Sequence, residues 1–163
     1  MTTTPTIPFQ VRAIPAAALE AVRTGGVDAS GQPAEHVVAQ GGEPLRCCLS
    51  NAEAGAELLL FSYRLPLPPS PYREVGPVFT HAHPCSGYPG DDTYPPDFRG
   101  HPQVLRAYDA RGRIHSATRV DDGSNPEGSL TQMLRDPGVA QVHSRNVAHG
   151  CFMFSVTRGG SAG

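Results

Sequence analysis

The chain has 163 residues, 39% of them hydrophobic and 17% charged, with a formal net charge of -2 and a pI near 6.4. That size carries one domain with its own core. Its thirteen basic residues are all arginines, scattered along the chain, so there is no basic stripe for nucleic acid and no lysine for Schiff-base or P-loop chemistry. No basic, apolar leader opens the sequence and its longest apolar run is Leu58 to Phe61. A cytoplasmic protein without a membrane span is therefore expected, with its four cysteines as thiols.

In chain order, Phe9 to Ile14 reads as a strand, followed by a helix from Ala16 to Arg23 that starts after Pro15 and is closed by Gly25-Gly26. Residues 27 to 44 show no period and read as loop. Leu45 to Leu49 alternates as a strand would, placing Cys47 on the core face and Cys48 beside Arg46. Ala56 to Leu65 is apolar at both parities, the pattern of a central strand, and the proline-rich stretch from Pro66 to Tyr72 is a stiff extended connector.

A strand through Val78, Thr80 and Ala82 comes next, expected to end at Pro84. Residues 86 to 102 are irregular, a candidate lid. Two strands, Val104 to Tyr108 and Arg113 to Val120, are joined by the turn Asp109 to Gly112. Ser129 and Gln132 make a capping box for a short helix stopped by Pro137, and strands Val139 to Asn146 and Cys151 to Arg158 close the chain. The sum is one α+β domain over residues 1–163, a mostly antiparallel curved sheet of about seven strands with two short helices. Residues 1–6 and 159–163 read as flexible tails.

Chemistry concentrates in His81-Ala82-His83-Pro84-Cys85. In a strand the three reactive side chains share a face, but four residues at about 3.3 Å each set His81 and Cys85 about 13 Å apart, too far for one ion unless the chain bends. His143, His149 and Cys151 are the candidate further ligands. A cysteine at a strand end becomes nucleophilic when a histidine or arginine lowers its pKa. Arg46, Arg106 with Tyr108, and Arg145 with Asn146 lie inside expected strands and could fork a carboxylate or phosphate.

The residues Arg46-Cys47-Cys48-Leu49, Ser70-Pro71-Tyr72 through Gly76-Pro77-Val78-Phe79 to His81 and Cys85, Leu105 to Asp109, and His143 with Arg145-Asn146 to Phe152 together resemble domain of unknown function family 1203. The resemblance implies a small bacterial cytosolic protein and brings no activity with it. It also implies a variable residue at the position of His83, leaving His81, Cys85, His143, Arg145 and Asn146 as the preferred site.

The expected function is an enzyme acting on a small anionic molecule. His81, Cys85 and His143 would be its acid, base or nucleophile, and Arg46, Arg106, Tyr108, Arg145 and Asn146 would hold the substrate. No cofactor is required. One alternative is a zinc or iron protein with His81, Cys85 and His143 as ligands, and another is a non-catalytic small-ligand binding or interaction module.

Overall fold

A computed structural model describes residues 8–88 and 92–159. Its strands are β1 (Phe9–Arg12), β2 (Glu35–Val38), β3 (Glu57–Arg64), β4 (Val75–His81), β5 (Gln103–Tyr108), β6 (Arg119–Asp121), β7 (Gln141–Asn146) and β8 (Phe152–Arg158). The helices are α1 (Ala16–Arg23) and α2 (Pro126–Leu134). The architecture is α+β and antiparallel, but the single sheet of about seven strands is corrected to two, one ordered β1-β8-β7-β5-β6 and the other β2-β3-β4. The expected tails lie outside the described residues except for Gly159, whose N–H donates to the Pro8 carbonyl.

Four local expectations also change. The strand expected over Arg113 to Val120 is confined to Arg119–Asp121, because an isolated bridge at Ile114 and a turn at His115 to Thr118 precede it. Residues 27–44 contain β2, whose side chains are mostly exposed, so an edge strand with no buried face left no period in the sequence. Leu45 to Leu49 is not a strand but a tight turn, with Leu45 N–H donating to Ser50 O and Leu49 N–H to Leu45 O. The second helix starts at Pro126, not Ser129: the Asn125 side chain accepts from Gly128 N–H, and proline suits the first helical position. Ser129 instead donates its hydroxyl to Asp121.

Alternation on the larger sheet builds two layers. Leu105, Ala107, Val142, Phe154 and Val156 meet Leu130, Met133 and Leu134 of α2 in the main core. On the opposite face, Arg106 pairs with His143 and Tyr108 with Gln141 across β5 and β7. Tyr108 and Phe152 are covered there by Leu65, just after β3, and by Leu67 of the proline-rich connector. A second core joins α1 to the smaller sheet through Ile14, Leu19, Leu58, Phe61 and Val78, with Cys47 among them.

Within the candidate lid, Tyr94 and Phe98 are buried and pack their rings on Phe154, so 92–102 is pinned to the core, and residues 89–91 lie outside the described part. Among the described residues no helix is long and apolar enough to cross a membrane.

Candidate functional site: a cluster of three thiols

The turn from Leu45 to Ser50 is tied on both sides. Arg46 N–H donates to Phe79 O of β4, and Arg46 O accepts from Ile14 N–H just after β1. Leu49 closes the turn in the left-handed region at φ 57, which costs a non-glycine residue about 1 kcal/mol or more, and it is held there because its side chain is buried. Leu49→Gly would relieve that strain and lose the burial. Since emptying a buried leucine site costs about 2–5 kcal/mol, the net effect is expected to be destabilising by about 2 kcal/mol, measurable by urea unfolding.

β4 ends at His81, and the bend follows at Ala82-His83 rather than at Pro84. The turn carries Cys85 back to the Leu45–Ser50 loop. The sulfurs of Cys47, Cys48 and Cys85 all lie within 4.8 Å of one another, two from one segment and one from another. Cys47 is buried, Cys48 half-buried and Cys85 exposed. His81 backbone N–H donates to Cys47 Sγ at 3.3 Å, and Arg23 of α1 fixes the same corner by donating to His81 O at 3.2 and 3.0 Å.

The electrostatics separate the adjacent cysteines. Cys47 donates its S–H to the sulfur of Cys48, which holds the Cys48 thiol down to about 5 and, with burial, pushes Cys47 up. Ser50 Oγ, 3.0 Å from Cys48 Sγ, and the charge of His81 add to the lowering, against the cost of burial. Cys48 is therefore the more acidic of the two thiols, with Cys47 as its hydrogen-bond donor. Two openings reach the cluster. Cys47 and Cys85 line a cleft of about 410 Å³ with Arg12 and Arg23 on its wall, and His81 and Cys85 share a second of about 310 Å³.

The other expected site residues lie elsewhere. His83 bonds the Glu57 carboxylate at 2.5 Å on the surface. Arg46 is a buried crosslink, donating to Phe152 O at 2.8 Å and Pro44 O at 2.5 Å, with burial lowering its guanidinium to about 10. Asn146 organises the turn before β8 by accepting from the N–H groups of His149 and Cys151.

His143 is fully enclosed, its ring 4.7 Å from that of Tyr108 and 5.0 Å from that of Phe152. Burial, then Arg145 and Arg106, lower its pKa to about 3, so it is a neutral imidazole. Among the described residues it joins no metal-spaced group with His81 or Cys85; the trio that does form is Cys47, Cys48 and Cys85. The pairing of His81 with Cys85 was accessible to sequence reasoning, whereas Cys48 was missed because alternation disguised a turn as a strand.

Compared with known proteins, the chain matches one family model, described as a protein of unknown function (DUF1203), over residues 42–158, a span that contains all three clustered cysteines. No curated protein and no solved structure matches it.

Proposed function

The chain belongs to the DUF1203 family, whose description names no activity, and from the chemistry of its own residues we propose that it is a thiol–disulfide exchange enzyme acting on a small anionic disulfide. The observation that carries this is the gathering of three thiols from two segments, with the stabilised thiolate of Cys48 next to Cys47 and Cys85, which line a cleft with two arginines. The Cys48 thiolate attacks one sulfur of the substrate's S–S bond. That bond breaks, a mixed disulfide forms on Cys48, and the first thiolate leaves and is protonated from solvent. Cys85 then gives up its proton and attacks Cys48 Sγ, expelling the second thiolate. The substrate is reduced by two electrons to two thiols, and Cys48–Cys85 is oxidised to a disulfide, which a thiol reductant returns to the start. Cys47 holds the thiolate, and Arg12 and Arg23 attract the substrate. A disulfide brings its sulfurs to about 2.05 Å, and the exposed position of Cys85 favours the approach this needs.

Treating the reduced protein with one equivalent of oxidised glutathione and mapping peptides by mass spectrometry tests this. A Cys48–Cys85 linkage is expected, and Cys85→Ser should instead trap glutathione on Cys48. Modification confined to Cys85 or Cys151 would rule the proposal out.

A second reading rests on the same sulfur spacing. Tetrahedral thiolates on zinc at about 2.3 Å sit about 3.8 Å apart, so three sulfurs within 4.8 Å could close on a soft ion such as zinc or copper(I) with a small contraction. Here the ligands are Cys47, Cys48 and Cys85 rather than His81, Cys85 and His143. Elemental analysis of tag-free protein separates the two: one ion per chain whose chelation lowers Tm favours the metal, and free thiols in metal-free, equally stable protein favour exchange.

A further inference from the structure

A separate site lies on the other face of the larger sheet. Glu74, at the end of the proline-rich connector, bridges two guanidiniums: Arg106 Nη1 donates to Oε1 and Arg145 Nη2 to Oε2, each at 3.0 Å. Two arginines and one carboxylate leave a formal charge of +1. Arg145 is 8% exposed, yet its Nη1 is buried with no hydrogen-bond partner. A completed internal ion pair would satisfy that donor, because an unpaired buried donor is costly. Glu74 and Arg145 line a cleft of about 200 Å³ whose apolar wall includes Tyr63, Leu65, Val78 and Phe152. None of the three clustered cysteines lines it.

We infer that this cleft is a binding site for a small apolar carboxylic acid, with the Glu74 side chain as an internal stand-in that the ligand's carboxylate displaces from Arg106 and Arg145. Three features converge on that ligand. The bridged geometry already seats a carboxylate with one charge-assisted hydrogen bond from each guanidinium, one to each oxygen. Exchanging one carboxylate for another keeps the site's charge balance, and the freed Glu74 side chain, already 44% exposed, moves to water. Its backbone need not follow, since Glu74 O is held by Leu65 N–H at 2.9 Å. The volume is below the roughly 300 Å³ at which pockets for drug-sized ligands begin, so the acid has a short apolar tail lying against Leu65 and Phe152.

The test is calorimetric titration of the full chain with isobutyrate and its neutral isostere isobutyramide. Isobutyrate is expected to bind wild type and to bind Glu74→Gln at least about tenfold more tightly, because the competing carboxylate is gone while its shape remains. Isobutyramide should bind neither. Adding Arg106→Gln to Glu74→Gln, a change at a partly exposed residue, should reverse the gain. Equal affinity of the acid for wild type and Glu74→Gln, equal binding of acid and amide, or no binding of the acid to Glu74→Gln would each overturn the inference. Should Glu74→Gln fail to fold, wild type carries the test through its Tm, which isobutyrate raises and isobutyramide does not. Equal shifts would again overturn it.

Discussion

Lowering the pH from 6 to 5 is expected to cost the wild-type protein stability that His143→Phe does not lose. The folded imidazole has its pKa lowered to about 3, first by burial and then by Arg145 and Arg106, whereas an unfolded histidine titrates near 6.5. Between those values the unfolded chain binds one more proton than the folded one. The contribution is therefore complete above about pH 6.5 and falls by about 1.4 kcal/mol for each unit of pH below it. Tyr108 and Phe152, whose rings flank His143, leave an aromatic site that phenylalanine can occupy, with only the bond from Nε2 to Gln141 Oε1 lost.

Two other sets of groups titrate with the same sign, and the pH window separates them. Asp28, Glu43, Asp109 and Asp122 are held below their ordinary values, mainly by hydrogen bonds from backbone N–H groups and, for Asp122, first from Ser124, so they act below about pH 4.5. Cys48, folded as a thiolate down to about 5, contributes a stability gain with rising pH from there to the ordinary thiol value near 8.5. Urea unfolding of wild type should thus show one proton of pH dependence between 7 and 8 and close to two just below 6. His143→Phe should remove the second and Cys48→Ser the first. An unchanged slope in His143→Phe would mean that the buried imidazole is not the acid-sensitive group.

How far the sequence foretells this molecule depends on whether a segment's pattern reflects its burial. α1 begins and ends at the residues that Pro15 and the glycine pair predict, and β3, β7 and β8 follow their apolar runs to within two residues, because each is packed on the core. β2 escaped because it is an exposed edge. The Leu45–Ser50 turn escaped for the opposite reason. Its apolar residues Leu45, Cys47 and Leu49 alternate by accident, Arg46 between them being buried too, and nothing in a leucine announces a left-handed backbone at Leu49. That one misreading dispersed the site, since a strand would set Cys47 and Cys48 on opposite faces while the turn brings both to Cys85. His81 and Cys85 were singled out through the family resemblance, while their strand spacing set them about 13 Å apart; the bend at Ala82-His83 puts both on one cleft. His143 was drawn to them by residue type alone, and only the register of β7 against β5 shows that it faces Arg106 and Tyr108.

The reactivity of Cys48 should be nearly independent of pH where an ordinary thiol's rises tenfold per unit. In a Cys85→Ser/Cys151→Ser background, exchange with 4,4′-dithiodipyridine is expected to level off above about pH 6, with a midpoint at about 5. At pH 6 a thiol of pKa 8.5 is about 0.3% ionised and one of pKa 5 about 90%, a factor of about 300 in thiolate. The less basic thiolate is intrinsically slower: a Brønsted slope of about 0.45 over 3.5 pKa units removes about 40-fold. The balance leaves Cys48 about tenfold faster than an ordinary cysteine at pH 6 and slower than one at pH 9. Cys47→Ala probes the cause, because the S–H of Cys47 is the largest influence on Cys48. Without that donor the midpoint should move toward 8.5 and the rate at pH 6 should fall by up to about tenfold. A profile unaltered by Cys47→Ala would transfer the stabilisation to Ser50 and His81, and one rising tenfold per unit in the parent would remove Cys48 as the nucleophile.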